Sequence, residues 1–375
     1  MNDLNRELIE KVFGGWPEVP EVYKEAVQYY NPMTTDHDVI PYVWMALYTQ
    51  DEARMLHALP ANADEVAEKT GFDKAYVAES LKKLADDGRL MYTPNGFARL
   101  PPNMTITLDY LYFAHEGKSP EYNEEDLNIL HLTKSAQKTR RGLPEEQKIK
   151  LPMRIIPKYE SIKSIPGVMP CENIKEILCG DASKGMLASE RCTCHVMSSI
   201  WEKGAYPAAG DDDPVYPQEG CSCKDGHCYQ LGQNGLYCNK FLNAYAPSVE
   251  EAAKKVEEVE KSTAVYVGNN SRLSTNICCC HFDYCFPYDM EAWEYVPSRF
   301  RPKKRDSKCI GCGVCAEVCQ FGAINEDGYV IDPEKCKGCG NCVVKCSGKA
   351  LKMEIVHPAD WIPATGEDMK ATDKS

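Results

Sequence analysis

Two stretches near the C-terminal end carry the same cysteine spacing: "CIGCGVCAEVCQFGAI" at Cys309, Cys312, Cys315 and Cys319, and "CKGCGNCVVKCSGKAL" at Cys336, Cys339, Cys342 and Cys346. Every pair is offset by 27 residues, so this is an internal repeat. Two-residue gaps let three thiolates converge from one tight loop, and glycines between them (Gly311, Gly313, Gly338, Gly340) let backbone amides approach the sulfurs. The chemistry that needs this pattern is a pair of [4Fe–4S] clusters. With the fourth cysteine expected at the start of the following helix and aimed at the other cluster, Cys309, Cys312, Cys315 and Cys346 hold one cluster. Cys336, Cys339, Cys342 and Cys319 hold the second. "DGYVIDPEKC" between the halves reads as a strand and turn that return the chain. Zinc ribbons are the bland alternative, and they rarely use two interleaved copies of this spacing.

These residues resemble the bacterial two-cluster ferredoxins over roughly 299 to 355. Those ferredoxins usually carry proline after the fourth cysteine, where this chain has Gln320 and Ser347. The change restores an amide N–H and frees φ without removing a ligand.

The chain has 375 residues and 20 cysteines, long enough for two or three domains and too large to need disulfide staples. "MNDLNRELIEKVFGGW" has no apolar h-region, and the longest apolar run, "YVWMALY", is too short to span a bilayer. The expectation is a cytoplasmic protein in a reducing compartment, with thiols serving metal or redox chemistry. A net charge of −13 disfavours nucleic acid and membrane surfaces and is compatible with steering toward a basic partner protein.

Upstream, residues 1 to about 35 read as amphipathic helix, with Leu4, Leu8, Val12 and Phe13 on one face. "TQDEARMLHALP" is a helix closed by Pro60. "ANADEVAEKTG" opens on an Asn62–Glu65 capping box and stops at Gly71. "DKAYVAESLKKLADDG" has Asp73 as N-cap, Val77, Leu81 and Leu84 on one face, and Gly88 as its stop. "RLMYTPNGFARL" is a hairpin around Pro94, Asn95 and Gly96. Helix, helix, helix, hairpin is the order of a winged helix. Residues 51 to 100 hold seven Lys or Arg against nine Asp or Glu, which offers few phosphate contacts. A protein-docking or architectural role is the better expectation.

The region from 166 to 297 holds twelve cysteines in irregular order. "SVEEAAKKVEEVEKS" is a helix with a Ser248–Glu251 capping box, and "TAVYVG" a strand. In "NICCCHFDYC" adjacent cysteines of a regular strand point to opposite faces, so Cys278 and Cys280 share one side and Cys279 takes the other. Cys192, Cys194, Cys238, Cys278, Cys280 and Cys285, helped by His195, offer more sulfur than one tetrahedral ion requires. A third iron–sulfur cluster is the leading expectation, and one or two structural zinc ions the alternative. Cys171 and Cys179 read as packing residues. His37, His57 and His131 are isolated and read as ordinary surface or core histidines.

The order of features resembles a bacterial and archaeal family of 4Fe–4S dicluster ferredoxin-type proteins over most of residues 40 to 355. It runs from the winged-helix-like segment through "MPCENIKEIL", "RCTCH", "YCNKF", "VYVGNNS" and "NICCC" to the terminal repeat. The resemblance implies an electron-transfer protein of anaerobes that accompanies redox enzymes. This chain departs from it at "GAYP", 204 to 207, where relatives tend to carry a cysteine, and in an insertion at about 208 to 237 holding Cys221, Cys223 and Cys228. One of those three could replace the missing ligand, or the insertion could hold its own zinc.

The expected fold is α+β and multidomain. A winged-helix-like domain covers 1–110, a polar connector 111–165, an irregular cysteine-rich α/β domain 166–298, a two-cluster ferredoxin-like domain 299–358 and a disordered tail 359–375. There is no dinucleotide or nucleotide fingerprint and no nucleophile with partners. "RFRPKKR", 299 to 305, reads as a solvated linker or as a patch for an acidic redox partner. The function expected is electron transfer to or from a partner oxidoreductase. A reductase with a substrate-binding middle cluster and a redox-sensing DNA-binding regulator are the alternatives.

Overall fold

In a computed structural model of the chain, the structure describes residues 3–29, 38–100, 132, 150–191, 194, 227–242, 244–282, 285, 288, 293–325 and 330–364. They divide into two compact units: Met1–Ile149 with Tyr237–Tyr245, and Lys150–Leu236 with Ala246–Ser375. His37, His131, Cys192, His195, Cys221, Cys223, the "GAYP" stretch and residues 133–149 of the connector lie outside the described residues.

The first unit opens with α1 (Asp3–Phe13), which buries Asn5, Leu8 and Ile9. Then come α2 (Glu21–Lys24), a 3-10 turn at Glu25–Tyr29, and α3 (Ile40–Leu47), which has Pro41 in its first turn and buries Val43, Trp44 and Leu47. The next three helices start where their caps dictate. Thr49 and Glu52 form a capping box on α4 (Gln50–His57), as Asn62 and Glu65 do on α5 (Ala63–Thr70), and α5 stops at Gly71. Asp73 accepts from the Ala75 and Tyr76 amides to open α6 (Lys74–Asp86), whose buried stripe is Val77, Leu81, Leu84 and Ala85. The strands β1 (Met91–Thr93) and β2 (Gly96–Ala98) pair antiparallel around a Pro94–Asn95 turn. His57 stacks on Trp44 at 5.4 Å and its Nε2 lies 2.9 Å from the Val22 carbonyl, so it is a satisfied packing residue.

The second unit is built on a six-stranded sheet. In chain order it holds β3 (Leu151–Ile156), α7 (Tyr159–Ile162), α8 (Ile174–Ala182), β4 (Ala188–Arg191) and β5 (His227–Gln230). The helix α9 (Gly232–Phe241) begins in this unit and ends in the first. There follow α10 (Val249–Lys261), β6 (Val265–Asn269), β7 (Asn276–Cys280) and β8 (Trp293–Val296). The strand order is β4-β5-β7-β6-β3-β8, antiparallel throughout except for the parallel β3–β8 edge. One face packs on α8 and α10: Ile156, Tyr266, Ile277 and Cys279 meet Ile174, Leu178, Ala252 and Val256. The alternate residues, Met153, Ile155, Val265, Val267, Cys278 and Cys280, pack on the opposite face, and Cys339 and Phe321 of the repeat join them there. The repeat itself is framed by β9 (Phe300–Lys304) and β10 (Leu351–Ile355), which pair antiparallel around α11 (Val314–Glu317) and α12 (Asn341–Val344). Ile324 and Ile331 form an isolated antiparallel bridge between the halves.

Three expectations need correction. Residues 151–162, placed in the polar connector, form β3 and α7, because β3 is an interior strand whose Ile155 and Ile156 are wholly buried. The fourth cysteine of each motif does not start a helix: α11 and α12 carry the third cysteines, Cys315 and Cys342, and Cys319 and Cys346 follow their ends. The tail is ordered through residue 364. Ile362 is fully buried, Trp361 donates its indole N–H to the Pro297 carbonyl at 2.9 Å, and Arg272 donates to the Ile362 and Ala359 carbonyls.

Candidate iron–sulfur centres

The first thiol group forms where the loop into α11 meets the segment after α12. Cys309, Cys312, Cys315 and Cys346 line one pocket with Lys304, Ile310, Gly313, Val314, Gly348, Ala350 and Leu351, enclosing about 390 Å³ that opens in part to solvent. The two loops are equivalent in detail. The Ala350 amide donates to Cys346 Sγ at 3.2 Å, and the Ala323 amide donates to Cys319 Sγ at 3.3 Å. Amide donors of this kind stabilise negative charge on sulfur and raise the potential of a bound cluster. Cys312 is exposed, and the neighbouring Ile310 side chain is 67% exposed.

The second group is deeper. Negative charge on Cys319 opposes ionisation of Cys336, Cys339 and Cys342, and Cys342 packs in one cluster with Cys319. Burial pushes the Cys339 thiol up to about 12, with the Asn341 amide opposing, and raises Cys336 and Cys342 as well. Protons on such thiols are displaced when a cation binds, so this pocket suits a metal centre better than a free thiolate. The loop is seated by contact. A Cβ at Gly338 would lie 2.0 Å from the Phe300 carbonyl oxygen, and one at Gly340, with φ near +86°, would lie 2.3 Å from Ser161 Oγ. The Lys158 amide donates to the Cys339 carbonyl at 2.9 Å.

A third set of thiols lies on the sheet. Within β7, Cys279 enters the core under α8 and α10, whereas Cys278 and Cys280 point to the other side. Cys280 shares one packed cluster with Cys278 and Cys285, and the Cys285 amide donates to the His281 carbonyl at 3.1 Å. Across the strand pair, Cys278 stands opposite Cys228 of β5, and Cys228 packs against Cys194. Tyr295 of β8 packs against the same buried cluster as Cys280 and Cys285. Phe282 stacks on Tyr288 at 3.8 Å and meets Phe321 edge-on at 5.1 Å, roofing these thiols with aromatic rings. Of the six middle cysteines anticipated, Cys194, Cys278, Cys280 and Cys285 come together, Cys192 lies outside the described residues, and Cys238 is buried on the part of α9 that belongs to the first unit. Cys228, one of the three insertion cysteines offered as a replacement ligand, joins them; its partner in register is 50 residues away, and no local pattern singles it out from Cys221 and Cys223.

Gln320, which takes the place of the usual proline, bridges the repeat and the sheet. Its Oε1 accepts from the Phe282 amide at 2.7 Å and its Nε2 donates to the Thr263 carbonyl.

A sequence-family model for the 4Fe–4S binding domain matches residues 302–325 and again 329–352. The C-terminal module is a duplicated 4Fe–4S binding domain. No curated protein and no solved structure matches the chain. For this ferredoxin-like module the chemistry of the donors fits the cofactor: two sets of four thiols, each approached by backbone amides. Among the described residues no three His, Cys, Asp or Glu converge as ligands of a single metal ion, and this is as true of the module's cysteines as of those on the sheet. A tetrahedral zinc draws its sulfurs to within about 3.8 Å of one another, given a Zn–S bond of ~2.3 Å. A [4Fe–4S] cluster takes one thiolate at each of four separate irons. No described helix is long and apolar enough to cross a membrane.

Proposed function

We propose that the protein is an electron-transfer protein or subunit that passes single electrons to or from a partner oxidoreductase in the cytoplasm of an anaerobic cell. Cys309, Cys312, Cys315 and Cys346 hold one [4Fe–4S] cluster, and Cys336, Cys339, Cys342 and Cys319 the other; a further iron–sulfur centre sits on the middle sheet. When bound, such clusters accept and release one electron at a time. The chain's own residues supply the thiolates, the amide donors to sulfur and the burial that sets potential. The observation that carries this reading is the single pocket lined by Cys309, Cys312, Cys315 and Cys346, four thiols that come from both halves of the repeat.

The two centres differ in access. Cys312 and Ile310 put the first at the surface, which makes it the port for a partner, and the buried Cys339 and Cys342 put the second inside. Residues 299–358 hold eleven Lys or Arg against seven Asp or Glu, in a chain of net charge −13, so an acidic surface on the partner complements this port. The three capped helices and the hairpin of the first unit support a winged-helix module used for docking or architecture.

Protein purified without oxygen tests the proposal. The expected result is at least about eight irons and as many acid-labile sulfides per chain, with absorbance near 400 nm on the order of that of cluster proteins and bleached by a one-electron reductant. Colourless protein without sulfide refutes it.

A further inference from the structure

Five described thiols outside the ferredoxin-like module are linked along one side of the sheet: Cys194 packs against Cys228, Cys228 stands opposite Cys278, and Cys278, Cys280 and Cys285 share one packed cluster. Packing alone does not ask for this. A sheet face that needs small apolar residues is served by Val or Ala, as at Val265 and Val267 in the neighbouring strand. The strand β7 also separates its cysteines by role. Cys279 is absorbed in the hydrophobic core with Ile277 and Tyr266, whereas Cys278 and Cys280 belong to the opposite face with Cys285. The rings of Phe282, Tyr295 and Phe321 cover the thiols, which gives the dry, low-dielectric surround in which thiolate–iron centres are held. Cys339 belongs to the same buried cluster as Cys280 and Cys285, so the side of the sheet that carries the thiols is also the side against which the second loop of the module is packed.

We infer that Cys228, Cys278, Cys280 and Cys285 are the ligands of a third iron–sulfur centre, with Cys194 beside them, and that this centre adjoins the second cluster at Cys339 and exchanges electrons with it. The inference deepens the electron-transfer reading and rests on Cys339 being a ligand of the second cluster. Of the three insertion cysteines offered as a replacement ligand it selects Cys228, and it leaves out Cys238. The exchange moves one electron, with one centre oxidised as the other is reduced; no bond is made or broken and no proton is required. The order of transfer is then from a one-electron donor protein at Cys312, through the second cluster, to the sheet, or the reverse.

The test uses the full chain, made and purified without oxygen, with iron, sulfide and zinc counted and the reduced protein examined by electron paramagnetic resonance. The wild type is expected to hold about twelve irons and to show a signal broadened by magnetic coupling between neighbouring clusters. The double variant Cys280→Ser/Cys285→Ser, and separately Cys228→Ser, should fall to about eight irons, keep the signals of the ferredoxin-like module and lose the broadening due to the third centre. Retention of those about eight irons shows that the variants have folded. Cys279→Ala, one residue away on the other face, should keep the full complement. A wild type with about eight irons that the variants do not change overturns the third centre and leaves the two-cluster reading intact. So does zinc lost in the double variant in place of iron, an undiminished iron count in Cys228→Ser, or an equal loss in Cys279→Ala. Protein without iron overturns both.

Discussion

Gln320 stands where two-cluster ferredoxins usually have proline, and its side chain replaces what a proline cannot supply. Oε1 accepts the Phe282 amide at 2.7 Å, next to the strand that carries Cys278 and Cys280, and Nε2 donates to the Thr263 carbonyl. In Gln320→Ala the Thr263 carbonyl keeps the Asn341 Nδ2 donor at 2.6 Å, so the stranded group is the Phe282 N–H. A buried amide left without an acceptor costs about 1–3 kcal/mol, and partial exposure of Phe282 places this one toward the lower half, about 1–2 kcal/mol. For a unit of this size that lowers the melting temperature by roughly 3–6 °C. The assay is thermal loss of cluster absorbance under argon, at a fixed scan rate, for wild type, Gln320→Ala and Ser347→Pro. Ser347 is the equivalent position of the second motif and is exposed, so proline there should shift the midpoint by less than about 2 °C. Equal losses in the two variants, or none in Gln320→Ala, would refute the claim that this residue clamps the module to the sheet.

Three further outcomes follow from the same geometry. Gly340→Ala must place its Cβ 2.3 Å from Ser161 Oγ and 2.8 Å from Ser161 Cβ at positive φ, whereas Gly311→Ala meets nothing within 4 Å. The first should lose the second cluster's irons, and the second should cost only the backbone strain of about 1–2 kcal/mol and keep them, as iron counts will tell. Glu172→Ala leaves the guanidinium of Arg299, 3.1 Å from that carboxylate and buried with it, without its counter-charge; the expected loss is about 3–5 kcal/mol, and a thermal midpoint within 2 °C of wild type would contradict it. His357, stacked on Trp361 at 3.9 Å, is held below the ordinary imidazole value by burial, with Arg301 and Arg299 adding to the effect. Its folded state therefore favours the neutral ring, the stability it contributes is present above about pH 6.5 and lost as pH falls through the depressed folded value, and Trp361 emission should change in that lower window in the wild type but not in His357→Gln.

Local signals were legible wherever a few neighbouring residues decide the structure. The caps at Asn62, Asp73 and Ser248 start helices because their side chains take amides three or fewer residues on, and the sequence displays both partners. The facial split of Cys278, Cys279 and Cys280 was equally open to reading, since alternation in a strand is a property of the backbone. What could not be read was pairing between distant segments. Nothing near Cys228 announces that it stands opposite Cys278, and nothing in "KIKLPMRIIP" shows that a stretch following a polar connector becomes an interior strand between β6 and β8.

The placement of the ferredoxin-like module has a consequence for how electrons can move. A module tethered to the rest of the chain by a flexible linker would present both its centres to solvent and exchange with any partner. Here the second loop is fixed by three kinds of contact: Gly338 and Gly340 admit the Phe300 backbone and Ser161 at distances no side chain tolerates, Asn341 and Gln320 share the Thr263 carbonyl, and Cys339 enters the core of the sheet. Each is short-ranged and buried, so the geometry between Cys339 and the sheet thiols is set by packing rather than by encounter. The exposed loop at Ile310 and Cys312 remains the open side. In the proposed relay this asymmetry, one loop at the surface and the next packed inward, would set the order of transfer, and Gln320 would hold the inner loop in place through its bonds to the Phe282 amide and the Thr263 carbonyl.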